Sequence, residues 1–147
     1  MIFTFIVIAS IFASQPATAM DLDIEHFQWK KRLLLVFAAE NAQPHYQSLA
    51  NEISSRQADV DERDLVVFEI LESATSRMNR SPIEPQRAAS IREQFEIAPH
   101  AFTVILVGKD GGIKLKRNDQ VRLEEIFQLI DSMPMRQDEM RQKGQKF

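Results

Sequence analysis

Three runs of the chain are almost continuously apolar. They are Arg32-Leu-Leu-Leu-Val-Phe-Ala38, Leu65-Val-Val-Phe-Glu-Ile-Leu71 and Phe102-Thr-Val-Ile-Leu-Val107. A run of this length without polar alternation predicts a strand buried on both faces. Ile113-Lys-Leu-Lys116 alternates instead, which predicts an edge strand wet on one face. Gly108-Lys-Asp-Gly-Gly112, just before it, predicts a hairpin turn with glycines free to take positive φ. Helical spacing shows in three places. Tyr46, Leu49, Ala50 and Ile53 share a face, with Asn41 as a cap and Pro44 in the first turn. Ala88, Ile91 and Phe95 mark a second helix, and Leu123, Ile126, Phe127 and Ile130 a third, capped by Asn118 or Asp119. Glu72 to Pro85 is polar and reads as a long connection. Pro134 interrupts the last helix and starts a short helical turn in a charged tail that runs to Phe147.

The resulting order is strand, helix, strand, helix, strand, turn, strand, helix. Its first half is a βαβ unit with a right-handed crossover. The predicted fold class is α/β: one mixed four-stranded sheet with helices on both faces, in the thioredoxin-like order. The first two strands are expected to be parallel and central. The third should run antiparallel to the first and pair with the fourth.

The start of the chain is different in kind. Ile2 to Phe12 is apolar, and Ala17-Thr18-Ala19 is a small-x-small site before Met20-Asp21. An apolar core followed by a cleavage box is the layout of a secretory signal peptide. No Lys or Arg precedes that core, and the run is short for a membrane span. The expected organisation is a signal peptide over 1–19, cleaved after Ala19, and one domain over 20–147 with its core at about 24–133. Export to the periplasm or the medium follows, with no stable membrane span after cleavage.

Charge and cysteine content narrow the chemistry. The net charge of −3 over 147 residues gives no basic field for nucleic acid. There is no cysteine. Disulfides, thiol catalysis and thiolate zinc sites are therefore excluded.

Four separated strings go further than element order. Trp29-Lys-Lys-Arg-Leu-Leu-Leu-Val-Phe37, Glu62-Arg-Asp-Leu-Val-Val-Phe68, Phe102-Thr-Val-Ile-Leu-Val-Gly-Lys-Asp-Gly-Gly-Ile-Lys114 and Ile130-Asp-Ser-Met-Pro-Met-Arg136 occur in that sequence. Together they resemble an uncharacterised bacterial domain-of-unknown-function family. That family is similar to the thioredoxin-like domains of vertebrate extracellular matrix proteins: the sushi-repeat SRPX/SRPUL group, equarin and URB. The likeness covers about Ile24 to Met140. It implies a thioredoxin- or peroxiredoxin-like fold and an exported setting, and it carries over no catalytic residue.

Thioredoxins place a Cys-x-x-Cys just after the first strand, at a helix N-terminus whose dipole lowers a thiol pKa. Here that place reads Ala39-Glu-Asn-Ala-Gln-Pro-His45, which sets Ala42 and His45 where the two cysteines would be. Thiol–disulfide exchange needs a thiolate, and none exists. In such a fold His45 and His100 lie at the same end of the sheet, with Glu40 and Asn41 nearby. They are the candidate metal ligands or acid–base pair, against the plainer reading of two surface histidines. Arg77, Arg80 and Arg87 are candidates for an anionic ligand or partner, against a solvated loop. Met133, Met135 and Met140 are thioethers suited to Cu(I) or, more often, to filling gaps under a helix end. Lys109-Asp-Gly-Gly lacks the length and the ending of a phosphate loop. Trp29 reads as an entry anchor against the core, with an aromatic that faces a partner as the alternative.

The expectation is a non-catalytic binding or scaffold module of the cell envelope, with no cofactor. Its partner is an envelope protein or a small ligand, met on a surface of Asn41, His45, Arg77, Arg80 and His100. The alternative is a metal protein or enzyme that uses His45 and His100 at the place of the lost redox site.

Overall fold

A computed structural model describes residues 22–145, so the expected signal peptide lies outside the described residues. The helices are α1 (Ile24–Phe27), α2 (Pro44–Ser55), α3 (Gln57–Glu62), α4 (Pro85–Gln94), α5 (Leu123–Asp131) and α6 (Pro134–Gly144). The strands are β1 (Arg32–Ala38), β2 (Leu65–Leu71), β3 (Arg77–Met78), β4 (Ser81–Pro82), β5 (Thr103–Val107) and β6 (Ile113–Arg117). They form one mixed sheet in the order β4-β3-β2-β1-β5-β6. β1 and β2 are parallel and central, β5 is antiparallel to β1, and β6 is antiparallel to β5.

The continuous apolar runs follow from burial on two sides. Leu34, Val36 and Ala38 of β1 face Tyr46, Leu49 and Ile53 of α2 and Leu123, Ile126, Phe127 and Ile130 of α5. Leu33, Leu35 and Phe37 face the other way, toward Leu22 and Ala88 and Ile91 of α4. Alternate side chains of one strand thus enter two separate cores, and neither face leaves a polar position to read.

The sheet has six strands, where the sequence predicts four. The two extra strands form a hairpin inside the polar segment from Glu72 to Pro85. Its turn is Asn79-Arg80, both at positive φ (46° and 73°). That is the conformation of a type I′ hairpin turn, whose usual marker is Asn-Gly or Asp-Gly. Asn79 also fastens the hairpin to β2: its amide donates to the Val67 carbonyl (2.8 Å), and its Oδ1 accepts from the Val67 amide (2.9 Å). Two-residue strands carry no readable alternation, and the glycine that marks such a turn is missing.

Helix caps differ as well. α2 begins at Gln43 and Pro44, not at Asn41, and Gln43 Oε1 accepts from the Ala39 amide instead of capping the helix (3.0 Å). α5 begins after Arg122, and its Leu123 amide donates to Glu52 Oε2 of α2 (2.9 Å), so a distant residue replaces the expected Asn118 or Asp119 cap. Trp29 is 63% exposed at φ 66°, so it is not an entry anchor. α1, just before it, supplies Ile24 and Phe27 to the second core instead. The charged tail, read as a short turn, forms the eleven-residue helix α6.

Candidate functional site

The C-terminal ends of β1 and β2 and the start of β5 meet at the end of the sheet where a redox site sits in thioredoxins. Chain geometry there is set by backbone bonds. The Glu72 and Ser73 amides donate to carbonyls of Ala38 and Ala39, and Ser73 Oγ donates to the Ala39 carbonyl (3.0 Å). Glu72 is thereby held at the exit of β2, facing the loop that joins α4 to β5.

Glu72 organises this end. Its Oε1 accepts from Arg92 Nη2 (2.6 Å) and from the His100 amide (2.9 Å), and its Oε2 lies 3.2 Å from His100 Nδ1. Arg92, from the last turn of α4, is nearly buried, and its Nη1 reaches the Ala38 carbonyl (3.3 Å). Burial pushes the Arg92 pKa down, against the pull of Glu72. The guanidinium therefore ties α4 to the ends of both central strands, and Glu72 offsets its charge. Glu96 and His100, in the loop between α4 and β5, both sit at positive φ (53° and 61°). For residues other than glycine this conformation is unfavourable and needs surrounding support. The Glu72 bonds supply that support at His100.

Beside this cluster lies a cavity of about 450 Å³. It opens between the exit of β2, the β3–β4 hairpin and α4. Leu71, Ile83 and Ala88 give it an apolar wall, and Glu72 and Arg92 stand at its polar side. Its size falls in the range of small-molecule sites.

The expected site residues are only partly brought together. His100 joins Glu72 and Arg92. His45, second residue of α2, is exposed, with its ring 5.5 Å from the Phe102 ring. Asn41 is exposed in the turn before α2. Arg77 lies opposite Glu69 in the β2–β3 ladder, and Glu69 accepts the Tyr46 hydroxyl (2.8 Å). Arg80 donates to Gln57 Oε1 (3.0 Å). Among the described residues, no group of three or more His, Asp or Glu side chains converges as a metal site. Glu72 and Arg92 were not legible as site residues. Glu72 follows an apolar run as any strand-ending charge does, and Arg92 looks like an ordinary basic residue near a helix end.

A family model described as "Domain of unknown function (DUF4174)" matches residues 23–139. The chain belongs to the DUF4174 family. Among curated relatives, Coiled-coil domain-containing protein 80 of Danio rerio is 26% identical over 133 residues, covering 80% of this chain and 15% of that protein. The human Sushi repeat-containing protein SRPX is 27% identical over 120 residues, covering 80% of this chain and 26% of that protein. The DUF4174 chain thus spans about a quarter or less of the curated relatives it matches. Among solved structures, Plasmodium yoelii Prx1a superposes with a TM-score of 0.58 at 15% identity, over 78% of this chain and 80% of that one. The reduced Plasmodium vivax 2-Cys peroxiredoxin gives 0.59 at 13% identity, over 78% and 71%. These likenesses establish a peroxiredoxin- or thioredoxin-like fold. With no cysteine in the chain, this DUF4174 member has that fold without its thiol chemistry.

Proposed function

We propose that the protein is an exported binding module whose ligand or partner engages the vacated redox end, with no catalytic step of its own. The observation that carries this reading is the 450 Å³ cavity beside Glu72, Arg92 and His100. A concave, largely apolar space with a few fixed polar groups at its rim is the ordinary form of a binding site. Glu72 is committed to Arg92 and His100, which suits a fixed rim better than a proton-transfer group. Export is supported by the leader-like order of residues 1–19 and by the resemblance to domains of extracellular matrix proteins. The His45 and His100 metal reading has no comparable support, because each ring has its own neighbour in Phe102 and Glu72.

The test is affinity capture from envelope extract by mature protein, with Ala89→Trp as the comparison bait. Ala89 is exposed on α4 and lines the cavity, so a bulky ring there fills it at small cost to the fold. A ligand or protein held by the parent and lost by Ala89→Trp supports the proposal. Identical capture by both baits moves the binding surface elsewhere.

A further inference from the structure

The charged side chains that line the 450 Å³ cavity are Glu72, Glu84 and Arg92. Two of them are already committed to the protein. Arg92 Nη1 donates to the carbonyls of Ala38 (3.3 Å) and Ile70 (3.5 Å), and its Nη2 donates to Glu72 Oε1 (2.6 Å) and the Ala98 carbonyl (3.4 Å). Every terminal N–H of the guanidinium thus has an acceptor, and no fork is left for an anionic ligand. Both oxygens of Glu72 face Arg92 or His100.

Glu84 is different. It precedes α4, is exposed, and makes no side-chain bond to the amides of the helix it begins. A carboxylate at that position ordinarily turns back to those amides. Among the described residues its carboxylate has neither an ion-pair partner nor a hydrogen-bond donor. Arg87, three residues on, does not supply one: its Nε is buried and has no acceptor. Glu84 is therefore the one charged group on the cavity lining that is both accessible and unpaired among the described residues.

The remaining lining sets what else a ligand must offer. Leu71, Ile83 and Ala88 give an apolar wall, while Thr75, Glu84 and Ala89 are exposed on the open side. An anionic ligand would meet the Glu84 charge with no guanidinium fork to offset it. A neutral apolar ligand would cover part of the Glu84 hydration and return nothing to the carboxylate. A cation on an apolar body satisfies both parts of the lining. The chain's net charge of −3 also favours the approach of a cation.

We propose that the ligand of this cavity is a small primary amine, one ammonium group on an apolar body. This rests on the binding reading above and names its ligand class. The ammonium donates to the Glu84 carboxylate and to the Thr75 hydroxyl, and the apolar body lies on Leu71, Ile83 and Ala88. A volume of 450 Å³ falls within the about 300–1,000 Å³ of small-molecule sites, which favours a free amine over a macromolecular partner. Glu72 and Arg92, each satisfied by the other and by the backbone, hold the wall in place without contributing net charge.

The test is amide chemical-shift titration of the mature protein with phenethylammonium, phenethyl alcohol and phenylpropanoate, which set three heads on the same body. The ammonium is expected to saturate, with shifts confined to residues 71–76 and 82–92 around the cavity. The alcohol should bind about fivefold more weakly and the carboxylate more weakly still, the loss of one charge-assisted partner at an exposed site. Glu84→Gln should weaken the ammonium about fivefold and leave the alcohol unchanged. Added salt should weaken the ammonium and spare the alcohol. The inference is overturned if the ammonium does not saturate, if the alcohol or the carboxylate matches it, or if Glu84→Gln binds it as the parent does. In those cases a ligand lost from Ala89→Trp in the capture experiment still keeps the cavity as the binding site. Binding of the ammonium by folded Ala89→Trp as by the parent overturns both the amine and the cavity.

Discussion

The two ends of the central sheet are built on different principles. At the C-terminal ends of β1 and β2, short loops, two residues at positive φ and one carboxylate shared by Arg92 and His100 surround an open cavity. At their N-terminal ends, side-chain charges lock α6 onto the sheet. Arg32 and Arg136 are each 1% exposed and Lys109 is 9% exposed. Arg136 meets Asp131 (3.1 Å) and Glu62 (3.1 Å), while Arg63 meets Asp131 through two bonds (3.1 and 2.7 Å). One end is a network in which each buried cation has an acceptor. The other is a rim around an open cavity, held by the single carboxylate of Glu72. This cysteine-free chain of peroxiredoxin- or thioredoxin-like fold thus has a charge-locked end and an end with an open cavity.

The sharpest way to break the comparison is to remove a hub from each end. Glu139→Ala leaves Arg32 and Lys109 short of an acceptor, and breaking a buried pair from one side costs about 3 kcal/mol. Glu72→Ala should cost only about 1 kcal/mol, since Arg92 keeps its carbonyl partners. Urea unfolding of both variants measures the contrast, and equal losses would erase it.

Acid should act on the same network. Burial disfavours the charge on Glu139, yet hydrogen bonds from Lys109 and Arg32 outweigh it and hold the carboxyl below its usual range. Asp131, beside Arg63 and Arg136, and Asp64, beside Lys109 and Lys31, are lowered against burial in the same way. A carboxyl depressed in the folded state contributes stability above its unfolded pKa and loses it as pH falls through the folded value. Stability should therefore be flat from neutral pH to about 5 and decline below about 4, where unfolded carboxyls begin to take protons first. Glu139→Ala should flatten that decline. A decline of the same steepness in the variant would separate acid sensitivity from the network.

Most of the fold was legible, and the gaps have physical causes. β1, β2 and β5 announce themselves because burial on both faces leaves an unbroken apolar run. α6 did not, because it is held by Arg136 and Glu139, charges that look like a solvated tail until their partners are known. Its acceptors Glu62 and Asp131 lie on other helices, and no local pattern joins them. Analogy with the first strand and helix of thioredoxins pointed to the exits of β1 and β2, and of the residues expected there His100 joins Glu72 and Arg92. The organiser of that end was not found, since Glu72, Arg92 and His100 are separated in sequence and share no motif. The β3–β4 hairpin was missed because Arg80 occupies a turn position that usually holds glycine.

That last point gives a smaller prediction. Arg80→Gly relieves the positive φ at the hairpin turn and should raise stability by about 0.5 kcal/mol, even with the bond to Gln57 lost. Thermal unfolding checks it, and a destabilised variant would show that the Gln57 bond outweighs backbone strain. Smallest of all is His45→Ala, at an exposed ring against Phe102, where a change within about 0.5 kcal/mol is expected. A larger loss would make His45 part of the rim's architecture.

Native-state hydrogen exchange tests the division of labour most directly, because it reads both ends in one sample. Amides of β1, β2 and the α6 interior should exchange only through global unfolding. Amides of residues 73–84 and 96–102, around the rim, should open at distinctly lower free energy. Uniform protection across both ends, or an α6 that opens before the rim, would contradict the account.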